Sequence, residues 1–280
     1  MAEVQLGEGD PSHELYAELL PVYQCVNNFL RDTSCTADDT AATLTDASQW
    51  SQKTLEVYCW DLGWIWVSKI LEIPALHPLL KRLIQLLYAI QKRPAPRGED
   101  SDFWFCLPRF FGQLNELNSW RGLYDCVVDD PKDLYTAGEW ASVNSFQSLW
   151  YNDQPLPVAC EDVEGYSFFS PHPQHGLGML RTALEITPKH VSLNQVVPAA
   201  AVWIVNAGRK FHERCRLNKD LGADRISRRP YQVPDEFYKG EDTYNLDRWK
   251  FWKSRFGELQ NDETLEESTR QWAARAYTAM

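Results

Sequence analysis

VVPAAAVWIVNAG, residues 196–208, is apolar nearly all the way round. A helix of that kind has no face for water and must be enclosed by other helices. Its small residues, Ala199 to Ala201, Ala207 and Gly208, allow neighbours to approach closely. The stretch therefore places a buried helix over 192–218 at the centre of an all-α fold.

The surroundings supply the helices to cover it. Leu76, Leu79, Leu80, Leu83, Ile84, Leu87 and Ile90 recur at helical spacing beside Lys81, Arg82 and Gln85, which makes one apolar face. Residues 49–73 carry Trp50, Leu55, Tyr58, Trp60, Trp64, Trp66 and Ile70. Further helices are expected near 103–118, 133–151, 175–186, 245–258 and 264–279. Strand patterns are almost absent. The expectation is one all-helical domain over 1–280, a compact bundle of about ten helices. A surface loop at 92–102, KRPAPRGEDSD, and a long aromatic loop at 151–176 interrupt it.

Composition narrows the function classes. The chain has 280 residues, 39 acids against 28 bases and a formal charge of −11. That balance disfavours the phosphate contacts on which nucleic-acid binding rests. The one basic run, DRISRRP (224–230), reads as a solvated loop or an anion grip. Cys25, Cys35, Cys59, Cys106, Cys126, Cys160 and Cys215 form no C-x-x-C pair and follow a polar start without a signal peptide. Reduced thiols in a cytoplasmic protein are expected, with no membrane segment. The oligomeric state is open. The aromatics, 13% of the chain, guarantee a large apolar core.

Two motifs suggest metals. DDPKD (129–133) spells an Asp-Asp-x-x-Asp pattern that would suit a magnesium-dependent terpene-type cyclase. Pro131 works against a continuous helix there, whereas Asp130 as cap, Pro131 in the first turn and Asp133 against the dipole make a helix start. On this reading the segment opens the Trp140–Trp150 helix. The downstream partner motif is incomplete, because NDETLEES (261–268) lacks the expected hydroxyl; Thr264 and Glu267 read instead as a capping box. His172 and His175 lie three apart without an adjacent third ligand. No metal or cofactor is expected.

Polar residues on apolar helices are the remaining candidates. In EWASVNSFQSLW (139–150), Trp140, Asn144 and Ser148 share a face; in GLGMLRTALEI (176–186), Arg181 and Glu185 form an i, i+4 pair. They are either a satisfied network tying helices together or polar anchors in an aromatic-walled cavity, with Trp203 as a wall. On the second reading His175, Arg181 and Glu185 are the candidate catalytic residues, and Trp140, Asn144 and Trp203 bind substrate.

WASVNSFQSLW (140–150), GLGMLRTALEI (176–186), PAAAVWIVNAGRKFHE (198–213), the C-terminal stretch from Asp247 to Met280 and HPLLKRLIQLLYAIQ (77–91) together resemble a large fungal family, domain of unknown function 3632. The resemblance runs over about 70–270. It implies a helix-only, intracellular fungal protein and puts Asn144, Arg181, Glu185, Trp203 and Trp249 at family motif positions. It transfers no catalytic residue; a place in secondary metabolism for some members is an expectation of the resemblance. The functional expectation is a cofactor-independent protein that binds or transforms an apolar small molecule, in the manner of a cyclase or isomerase. The alternative is a non-enzymatic interaction or scaffold protein.

Overall fold

The computed structural model describes residues 4–9, 16–49, 54–107, 109–110, 135–153, 173–186, 191–218, 237–241 and 243–280. DDPKD, Cys126, Cys160, His172, most of the 151–176 loop and the basic run at 224–230 lie outside the described residues. Ten α-helices are present among the described residues: α1 Tyr16–Arg31, α2 Ala37–Leu44, α3 Leu55–Glu72, α4 Pro78–Gln91, α5 Phe103–Cys106, α6 Ala137–Asp153, α7 Pro173–Leu184, α8 Leu193–Arg216, α9 Leu246–Leu259 and α10 Glu267–Ala279. The only strand-like feature among these residues is an isolated bridge at Ile186. The all-α expectation holds. The chain clusters into two compact units, Met1–Leu134 and Tyr135–Met280.

In the first unit, α4 begins where His77 accepts the Leu79 N–H on Nδ1, with Pro78 in the first turn where its missing N–H costs nothing. The expected apolar face of α4 is buried through Leu80, Leu83, Ile84, Leu87 and Ile90. Leu76, expected on that face, instead sits at φ 64 in the turn before the helix. The segment 4–9 is strapped down by polar contacts: the Gly7 carbonyl accepts from Asn27 Nδ2 at 2.9 Å and from the buried Lys69 ammonium, which Glu72 also holds. Burial pushes the Lys69 pKa down, and Glu72 opposes that.

Gly63 is where α3 meets the Phe110 backbone. A Cβ there would stand 2.5 Å from the Phe110 carbonyl oxygen and 3.1 Å from its Cα. Backbone cannot swing away as a side-chain tip can. Gly63→Ala is therefore expected to lose about 1–3 kcal/mol despite alanine's better helix propensity, read by urea denaturation. A variant as stable as the parent would refute this close approach.

The second unit is built around α8. α6, α7, α9 and α10 each pack on it, which bears out the central helix read at 192–218. Ala199, Ala200, Ala201, Ala207 and Gly208 are all buried against these neighbours. Pro198 interrupts the ladder, since it cannot donate to the Asn194 carbonyl four residues back. Thr269 Oγ1 on α10 donates to that carbonyl instead, at 3.5 Å, and Asn194 Oδ1 accepts the Glu266 N–H at 3.0 Å. The proline thus creates the acceptor on which α10 docks.

Two helix starts differ from expectation. α6 begins at Ala137: Thr136 Oγ1 accepts the Glu139 N–H at 3.2 Å, and Glu139 Oε2 accepts the Thr136 N–H at 2.9 Å. That reciprocal pair opens the helix carrying Asn144. Ahead of α10, Thr264 does not cap Glu267. Its N–H and hydroxyl both donate to Asp262 Oδ1, at 2.9 and 2.6 Å, in a tight local turn. Those bonds hold the Asp262 carboxyl below its usual range.

Candidate functional site

Glu185 follows the last turn of α7 and is fully buried. Arg248 grips it from α9 in a two-pronged pair, Nε to Oε1 at 2.8 Å and Nη2 to Oε2 at 2.9 Å. Trp252, one turn along α9, donates its indole N–H to Oε1 at 2.7 Å. The expected Arg181 partner is present but weaker, with Nε 3.5 Å from Oε2 and a partly exposed side chain. A carboxylate has about four acceptor positions; three take hydrogen bonds from Arg248 and Trp252, and Arg181 adds an ion pair. Arg248 is itself buried, lies over the Tyr238 ring and donates Nη1 to the Thr243 carbonyl at 2.9 Å. Asn245 caps α9 and accepts the Arg248 N–H, which fixes the helix phase that aims both Arg248 and Trp252 inward.

Sequence reasoning missed Arg248 and Trp252. The signal was present in DRWKFWKSRF: Arg248 shares the face of Trp252, Trp249 and Phe256, all buried on one side of α9. An arginine in phase with three aromatics is placed to enter a core.

The other polar set is also assembled. Asn144 Nδ2 donates to the Trp140 carbonyl one turn back at 2.9 Å, and Asn144 Oδ1 accepts the Trp203 indole N–H at 2.7 Å. Trp140, Asn144 and Trp203 are thus brought together and buried. Trp140 takes part through its backbone, while its ring stacks on Tyr135 at 5.5 Å. Beside them, Asn206 Nδ2 reaches Ser148 Oγ at 2.9 Å and Ser145 Oγ at 3.3 Å. These bonds join α6 to α8. His175 lies apart from Glu185 along α7. It lies in the first turn of α7, not in a loop, and ten residues of helix set it about 15 Å along the axis from Glu185.

A solvent-open surface groove lies along α6 and α8. It is a groove of about 440 Å³ lined by Tyr151, Arg209, Lys210, Glu213, Arg214 and Leu217. Lys210 Nζ donates to the Tyr151 carbonyl at 2.7 Å and lies over the Tyr151 ring; Arg214 Nε donates to the Tyr151 hydroxyl oxygen at 3.1 Å. Glu213 turns to Arg216, which it holds at 2.6 and 2.8 Å. The Tyr151 ring is backed by Trp203 and Phe211, with centroids 6.1 and 6.0 Å away. The groove therefore sits on the outer side of the Asn144–Trp203 set.

No group of three or more metal-ligating side chains occurs among the described residues. Cys59 and Cys215 are buried, and burial pushes both thiols up to about 12, far from a reactive thiolate. No helix among the described residues is long and apolar enough to cross a membrane.

No curated protein and no solved structure matches the chain. A family model described as "Protein of unknown function (DUF3632)" matches residues 65–256. The match takes in the Asn144–Trp203 contact, the Glu185–Arg248–Trp252 cluster and the cationic groove. It covers more than half of the sequence, and the chain belongs to this family.

Proposed function

We propose that the chain is a small-molecule-binding protein whose ligand sits in the groove along α6 and α8, not inside the helical core. The observation that carries this reading is the division of labour in the second unit. Glu185 is held by Arg248 and Trp252, and Asn144 by Trp203 and the Trp140 carbonyl, so both have the surroundings of structural ties between helices. The groove, in contrast, has a volume within the small-ligand range and combines an aromatic wall with polar anchors. Of the expected catalytic set, Arg181 meets Glu185 at 3.5 Å, and His175 lies at the other end of α7. An apolar or aromatic body against Tyr151 and Leu217 is the ligand portion that this surface suits.

Native mass spectrometry of protein taken from its own cells tests the reading. A small molecule retained at one per chain, and lost in Arg209→Glu, is expected; apo protein throughout would overturn it. The competing reading, a non-enzymatic interaction protein, draws on Val57, Trp60 and Trp64, which form an exposed stripe at helical spacing on α3. It requires a co-purifying protein that Trp60→Glu and Trp64→Glu release.

A further inference from the structure

We infer that the α6–α8 groove selects an organic anion, a carboxylate or phosphate monoester carried on an apolar or aromatic body. This rests on the small-molecule reading of the same groove and adds the charge of its ligand. Three cations, Arg209, Lys210 and Arg214, converge on the groove with one acid, Glu213, in a chain whose formal charge is −11. That acid is already engaged by Arg216 in a two-pronged exposed pair.

The cations are held in register by the protein itself. Lys210 is tied to the Tyr151 carbonyl at the end of α6, and Arg214 to the Tyr151 hydroxyl oxygen. Because that oxygen accepts from Arg214, the Tyr151 O–H proton is directed to a further acceptor. Arg209 is exposed and forms no ion pair among the described residues, so its planar guanidinium can meet a carboxylate or phosphate with two parallel bonds. Leu217, half exposed, supplies apolar surface beside them. Burial lowers the Lys210 pKa, Asp153 opposes this, and Arg214 and Arg209 push it down further. A bound anion would relieve that crowding of like charge.

Isothermal titration calorimetry of the full chain with 1-naphthoate, 1-naphthyl phosphate and neutral 1-naphthalenemethanol tests the assignment. The anions are expected to bind at least about tenfold more tightly than the alcohol, and less tightly as salt is raised. Arg209→Gln, a surface change, should remove about tenfold of the anion affinity while leaving alcohol binding and the melting temperature unchanged. Equal binding of anion and alcohol would overturn the charge assignment and leave the small-molecule reading standing. Binding of none of the three would overturn both. Anion binding untouched by Arg209→Gln would also overturn the assignment, by placing the site elsewhere. So would binding to phosphatidylserine vesicles without binding of the free anions, because the groove would then be a membrane contact.

Discussion

Glu185→Ala is expected to cost about 3–5 kcal/mol and to lower the melting temperature by about 6–20 °C. The loss follows from what stays behind. The Arg248 guanidinium and the Trp252 indole N–H are both buried, and alanine offers neither an acceptor. An uncompensated buried charge is far more costly than the intact pair is favourable. Arg181→Met should cost less than Glu185→Ala, because its contact with Glu185 is long and its side chain is partly exposed. Changing both Glu185 and Arg248 to methionine should cost less than either single change, since no lone charge remains. Thermal melts followed by circular dichroism read all of these. A fully stable Glu185→Ala variant would mean that the carboxylate is not the tie between α7 and α9.

Trp203→Ala should cost about 4–6 kcal/mol, from the lost aromatic volume and from Asn144 left without its donor. Trp203 is fully buried, meets Phe211 edge-on with centroids 6.0 Å apart, backs Tyr151 and donates to Asn144. Trp203→Phe separates these contributions. It keeps most of the apolar bulk and removes the N–H, for an expected loss of about 1–3 kcal/mol. In a cycle with Asn144→Ala, the two changes should couple by about 1 kcal/mol, measured by urea denaturation. Strict additivity would show that the indole–amide bond contributes nothing. Gly176 sharpens the same point: a Cβ there would come within 2.6 Å of both the Trp203 and Phe211 rings, so this aromatic cluster has no slack.

The centre of the fold was legible because hydrophobicity all round a helix has a single physical solution. VVPAAAVWIVNAG must be enclosed, and it is. The pairing of Arg181 with Glu185 was legible too, because i, i+4 spacing is local. The stronger partner was not, since Arg248 lies 63 residues away and only the packing of α9 on α7 brings it in. Asn144 was legible as a polar group on an apolar helix, and Trp203 as an aromatic wall; the hydrogen bond between them was not. Which of them lined a cavity could not be read, because helix phase shows what faces inward but not whether the interior is filled. The groove escaped notice for the opposite reason. Arg209, Lys210 and Arg214 look like an ordinary solvated face until Tyr151, some sixty residues earlier, is laid across them. The part Pro198 plays in docking α10 was not legible, because it depends on Thr269 arriving from the C-terminal helix.

The central claim is that the buried Glu185 cluster is architecture and that ligand chemistry belongs to the α6–α8 groove. Titrating nitrogen-15-labelled protein with 1-naphthoate, while following indole and arginine Nε–H signals by NMR, tests it directly. The account predicts shifts at the Arg209 and Arg214 side chains and at the Tyr151 and Leu217 amides, with the Trp252 indole and Arg248 Nε–H unmoved. Shifts centred on Trp252 and Arg248, with the groove signals unchanged, would contradict it.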